Sequence, residues 1–156
     1  MPQRVEPLLG ADADDVAAKR QWVRDHFTPG AQHKYDALPE KLRLLETILA
    51  NDLVHPSESL KLQCLGVAFG DALAQELGLK WVTVEDEYGR DPALALERTS
   101  IISFPLTAIS KRMEAGEKVN VRELFESACA TIRRLEREGR YRAPDEKHRS
   151  GPGDAC

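Results

Sequence analysis

The hydrophobic period changes from helical to alternating at Gly78, and that change constrains the fold more than anything else. Before it, Leu62, Leu65, Phe69, Leu73 and Leu77 recur at helical spacing. After it, Lys80-Trp81-Val82-Thr83-Val84-Glu85-Asp86 alternates with a period of two and is rich in β-branched and aromatic residues. A helical segment followed by a local run of strands predicts an α+β fold.

The rest of the chain fits that frame. A first helix is expected over residues 13–27, with Asp12, Asp14 and Asp15 at its positive end. A second is expected over residues 39–53, opened by Pro39 and striped by Leu42, Leu45, Ile48 and Leu49. The third runs from Ser57 to Leu77 and closes at Gly78, a natural C′ residue. Inside it Gly66 and Gly70 lie four apart; each costs about 1 kcal/mol of helix propensity, which predicts close approach of another element on that side.

Beyond Gly78 the expected sheet is small, three-stranded and antiparallel: residues 80–86, 93–97 and 99–104, with a turn at Tyr88-Gly89-Arg90-Asp91-Pro92. Val82, Val84, Leu94, Leu96, Ile102 and Phe104 are assigned to one apolar face. Pro105 begins a short helix that ends near Gly116. The last helix is capped by Asn120, with Glu123 three residues on, and ends at Gly139. The expected architecture is thus a helical N-terminal half, a three-stranded sheet and two C-terminal helices. Residues 1–11 read as a flexible lead-in, 12–139 as one domain, and 140–156 as a charged, disordered tail. No internal repeat is visible.

Composition narrows the functional classes. At 156 residues with a net charge of −4, the chain lacks the basic footprint that a nucleic-acid binder needs to neutralise phosphates. No apolar run approaches the ~18 residues of a membrane span, and Met1 to Glu6 contain no apolar leader. A cytoplasmic protein is expected. Cys64, Cys129 and Cys156 form no CxxC, and the first two fall on apolar helix sides, so they read as buried core thiols. His26, His33, His55 and His148 show no HxH, HxxxH or HExxH spacing, and GxSxG, P-loop and GxGxxG patterns are absent. No metal ligand, cofactor or catalytic residue is assigned. The arginines from Arg133 to Arg142 are interleaved with Glu136 and Glu138 and read as a solvated helix face.

One stretch carries a resemblance. Residues 65–112 read LGVAFGDALAQELGLKWVTVEDEYGRDPALALERTSIISFPLTAISKR. Gly70-Asp71 on the third helix, Trp81 on the first strand, Asp86-Glu87-Tyr88-Gly89 at the turn, Phe104-Pro105 and Lys111-Arg112 occur in an order that resembles the bacterial domain-of-unknown-function family 3806. The resemblance implies no activity.

The candidate site is therefore built from residues alone. Asp86 shares strand parity with Val82 and Val84, and a carboxylate on a core-facing side must be paired or hydrogen-bonded. Asp71 sits beside Gly70. One arrangement gathers Asp71, Asp86, Glu87 and Tyr88 into a polar pocket, with Lys111 and Arg112 as countercharge. Another is a network that merely fixes the turn. Trp81 falls on the opposite parity, with Thr83 and Glu85, either packed under a helix or exposed as an interface anchor.

The leading expectation is a non-catalytic protein-interaction module, such as an immunity or accessory protein, that masks a basic site on another protein. Its surface is the acidic turn: Glu85, Asp86, Glu87, Tyr88 and Asp91, with Trp81 nearby. The alternative is a small-molecule enzyme using Asp71 and Asp86 as an acid/base pair. A homo-oligomer is compatible with either.

Overall fold

The computed structural model describes residues 3–139. The fold is α+β, with a helical N-terminal half and one antiparallel sheet. Strand β1 (Arg4–Pro7) leads into α1 (Gly10–Arg24). A 3-10 segment (Pro29–Asp36) precedes α2 (Leu38–Ala50) and α3 (Ser59–Leu77). Then come β2 (Lys80–Asp86), β3 (Gly89–Ala95) and β4 (Ile102–Ser103). A 3-10 turn (Pro105–Thr107), α4 (Ala108–Glu114) and α5 (Val121–Glu138) follow.

Helix α3 is the central element. It packs against α1, α2, α4, α5 and the Pro105–Thr107 turn, and Leu62, Leu65, Phe69 and Leu73 are all buried. Its apolar stripe is the one visible in the sequence. Phe69 meets Phe125 of α5 edge to face, with centroids 6.4 Å apart and planes at 87°, a favoured aromatic geometry. The expected close approach at the two glycines is present. A Cβ on Gly66 would stand 2.5 Å from the Cα of Leu106, and one on Gly70 would stand 2.8 Å from both Pro105 and the Trp81 ring. The helix ends at Gly78, which takes the left-handed conformation (φ +70°). At the start of α5 the Asn120 side chain accepts the Glu123 N–H at 3.0 Å, as the capping pattern predicts.

Arg90, Asp91 and Pro92, read as part of a turn, lie inside β3, which starts at Gly89 and leaves only Glu87 and Tyr88 to connect the strands. The sheet corrects two further expectations. It has four strands in the order β1-β2-β3-β4, because residues 4–7, read as part of a flexible lead-in, pair with β2: Arg4 opposite Glu85, Val5 opposite Val84. A strand this short and charged carries no hydrophobic alternation for a sequence reading to detect. The apolar residues also divide between two faces. The β2–β3 register sets Trp81 opposite Leu94 and Val82 opposite Ala93. Leu94 therefore shares a face with Trp81 and joins the main core. Val82, Val84 and Ala93 form a second small cluster with Ala95 and Ile102. Phe104, assigned to the single face, is 47% exposed beyond β4. Both faces of the central strands are buried, so strict alternation was the wrong template.

Cys64 and Cys129 are buried and free, and burial pushes both thiols up from the ordinary value. The tail over residues 140–156, with Cys156, lies outside the described residues. None of the helices among the described residues is long and apolar enough to cross a membrane.

Candidate functional site

The sequence singled out an acidic turn, and the structure gives it a clamped base and an exposed tip. The base starts at Asp71 on α3. Its side chain is 10% exposed and accepts four hydrogen bonds. Arg20 of α1 donates from Nε to Oδ2 at 2.7 Å and from Nη2 to Oδ1 at 2.9 Å. The Tyr35 hydroxyl donates to Oδ2 at 2.5 Å, and Trp81 Nε1 donates to Oδ1 at 2.9 Å. A carboxylate has about four acceptor positions, so Asp71 is filled. The bond from Trp81 exists because Gly70 leaves room for the indole ring against α3.

Electrostatics follow the geometry. The hydrogen bond to Asp71 holds the Arg20 guanidinium above its usual value. Burial, and then the charge of Asp71, push the Tyr35 hydroxyl far above the ordinary tyrosine range. Lys41, also buried, is pushed down by desolvation. Its ammonium lies 4.7 Å from the Tyr35 ring centroid and donates to Gln75 at 2.9 Å. Gln75 in turn donates to the Asp36 carbonyl at 3.0 Å. This is a strut that ties α1, α2, β2 and the Pro29–Asp36 segment to α3.

A second clamp sits at the far end of the hairpin. Arg90 on β3 reaches Asp12 of α1 at 2.6 Å, Glu85 of β2 at 3.1 Å and Glu6 of β1 at 3.3 Å. Glu85 also pairs with Arg4. The hydrogen bond that Arg90 donates to Asp12 holds its guanidinium above its usual value. Glu85 is thus a bridging residue with two arginines on it, rather than a free member of an acidic turn.

Between these clamps and solvent lies the tip. Asp86 pairs opposite Gly89, so Glu87 and Tyr88 form the connection between the strands. Gly89 has φ +130°, a conformation that other residues rarely adopt. Asp86 Oδ1 accepts the Tyr88 N–H at 2.8 Å, an Asx-type bond that fixes the turn. The Tyr88 side chain points into solvent, and the residue is 89% exposed.

The predicted residues therefore separate. Asp71, Trp81 and Glu85 support the hairpin; Asp86, Glu87 and Tyr88 make its end, and Asp91, expected in the turn, lies inside β3 opposite Val84. Asp86 lies five positions along β2 from Trp81, roughly 16 Å at ~3.3 Å per residue, and so does not share a pocket with Asp71. The countercharge expected from Lys111 and Arg112 comes to Asp71 from Arg20 instead. Those two residues are exposed on α4, where Arg112 donates to the Ala108 carbonyl at 3.1 Å. Arg20 had a signal: it interrupts the stripe between Val16 and Val23, and a charge there needs a buried partner. Tyr35 had none, since its irregular segment carries no period. Among the described residues no group of three or more histidines, cysteines or carboxylates is placed to hold a metal ion.

A cleft of about 770 Å³ lies elsewhere, between the C-terminal end of α2 and the connection from α4 to α5. It lay outside every sequence expectation.

With this geometry in place, the comparisons can be read. The family model described as a domain of unknown function, DUF3806, matches residues 41–125, more than half of the chain. The chain belongs to the DUF3806 family. The match contains α3 with Asp71, the β2–β3 hairpin and both walls of the cleft, whereas Arg20, Tyr35 and β1 precede it. No curated protein matches the chain. Among solved structures, one from Bacteroides thetaiotaomicron VPI-5482, determined at 1.50 Å, aligns with a TM-score of 0.65 at 18% identity. The alignment covers 82% of this chain and 47% of that one, so the chain spans about half the length of its structural neighbour. At that identity the likeness is one of fold.

Proposed function

We propose that this DUF3806 domain is a non-catalytic protein-interaction module that presents the tip of the β2–β3 hairpin to a partner. The observation that carries the reading is Tyr88: a large aromatic side chain, 89% exposed, on a two-residue connection whose strands are clamped at both ends. Tyrosine is enriched among residues that dominate binding energy at interfaces. Its ring offers apolar area, its hydroxyl offers a hydrogen bond, and it has few torsions to freeze. Clamping the hairpin through Trp81–Asp71 and Arg90–Asp12 lowers the ordering cost of binding, which otherwise subtracts from affinity.

Charge indicates the kind of partner. Asp86 and Glu87 precede the tyrosine and Asp91 is exposed on β3 three residues on, while the nearby cation, Arg90, is held by three carboxylates. The complementary surface is basic, with a recess for a phenol ring. An immunity or accessory protein that covers a basic site on its target fits this description. Acid/base catalysis by Asp71 and Asp86 is not favoured, because four donors occupy Asp71.

The test is affinity capture from extracts of the native host, quantified for the wild type and for Tyr88→Ala. The side chain is exposed, so the variant should keep its stability to within about 0.5 kcal/mol. A specific protein retained by the wild type and depleted in the variant is the expected result. Equal recovery of the same proteins by both would sink the proposal.

A further inference from the structure

We propose that the cleft beside α2 is a second, independent binding site, which takes a small organic ammonium ion carrying an apolar body. Leu49, Met113, Val119 and Val121 supply an apolar floor. Glu46, Asp52 and Glu117 supply three carboxylates, against one ammonium, Lys118. A volume of about 770 Å³ is in the range of small-molecule sites, which pair an apolar lining with a few placed polar groups.

The carboxylates differ in how much of their charge is already used. Glu46 is shared with Arg122 of α5 at 3.3 Å. Asp52 and Glu117 have no cationic partner among the described residues. Asp52 is set in place by its backbone. It occupies the left-handed position that ends α2 (φ +51°), where its N–H bonds to the Leu49 carbonyl at 3.2 Å and the Leu53 N–H bonds to the Ile48 carbonyl at 3.1 Å. That is a helix-closing motif usually given to glycine. The same helix end carries the negative pole of α2, which adds to the field a cation would meet. Floor and charge together select a ligand with both properties. A bare inorganic cation would leave the floor unused, and a fatty anion would face the carboxylates.

The site shares no residue with the hairpin tip, so the two proposals can fail separately. The experiment is an amide-resolved NMR titration of the full chain with hexylammonium, alongside methylammonium and hexanoate. Saturable shifts confined to residues 49–52 and 113–121 are expected with hexylammonium and weak or absent with the other two. The double variant Asp52→Asn/Glu117→Gln should weaken hexylammonium by about tenfold or more, since each charge-assisted contact is stronger than a neutral one. Asparagine tolerates the left-handed conformation as aspartate does, so this variant keeps the α2 end. Tyr88→Ala should bind hexylammonium as the wild type does. Equal binding of hexanoate, shifts spread over other surfaces, no saturation, or an unchanged double variant would each overturn the proposal.

Discussion

At Asp71 every acceptor position is taken, and the donors come from three different parts of the chain. That makes the residue a joint between α3, α1, β2 and the Pro29–Asp36 segment. Removing one member of such a buried pair strands the others. Asp71→Ala is expected to cost roughly 3–5 kcal/mol, measured by denaturant unfolding, because Arg20, Tyr35 and Trp81 would all lose their acceptor. A cost under ~1 kcal/mol would contradict the account. Trp81→Phe, which keeps most of the ring and loses the donor, should cost less. At this scale the sequence pointed to Asp71 and Trp81 but misjudged their work. A carboxylate beside a glycine on a helix announces a close polar contact; whether it is a pocket or a joint depends on partners 36 and 51 residues away. Glu85 was misread in part for the same reason, since Arg4 lies 81 residues away, although Arg90 stands directly opposite on β3, five residues on.

Among the elements, α3 depends on two absent side chains. Its glycine ridge lets the Pro105–Thr107 turn and the Trp81 ring lie against the helix. Gly66→Ala would drive a methyl group into the Leu106 backbone, at 2.5 Å from its Cα. Gly70→Ala would meet the Pro105 ring and the Trp81 ring at 2.8 Å. Gained helix propensity offsets about 1 kcal/mol in each case. Overpacking costs about 1–3 kcal/mol and more where backbone must move. Both variants should therefore lose stability, Gly66→Ala the more, and thermal or denaturant melts of the pair check the order. The helices were legible because each buries one stripe at a regular period. The glycine ridge was legible as a cost that needed a compensation. Strand β1 was not: its residues are held by ladder bonds and exposed ion pairs, and Val5 is 48% exposed. The faces of the sheet were misassigned because the register, rather than the alternation within one strand, decides which residues of β3 join Trp81.

For the molecule as a whole, the buried strut makes stability depend on alkaline pH. Tyr35 has its folded value raised above the ordinary 10.0 by burial, with Asp71 adding to the effect. Below pH 10 both folded and unfolded states hold the proton, and the full stability is present. Above it the unfolded chain ionises first, so stability falls by up to ~1.4 kcal/mol per pH unit from this group. The raised thiols of Cys64 and Cys129 act in the same direction above their ordinary 9.0. Lys41, with its value lowered by burial from 10.5, opposes them, since its unfolded form binds the proton more tightly. Comparing the wild type with Tyr35→Phe separates these contributions. The variant loses a hydrogen bond at every pH, yet its stability should decline less steeply between pH 9.5 and 11. Parallel slopes would contradict the assignment.

The same clamps that set this stability hold the hairpin whose tip is proposed to bind. The most direct measurement is site-specific photo-crosslinking in the native host, with a benzophenone amino acid replacing Tyr88 and, separately, the exposed Arg137 of α5. The account predicts a discrete adduct with one protein from position 88 and none with that protein from position 137. The same adduct from both positions, or no discrete adduct from position 88, would contradict it.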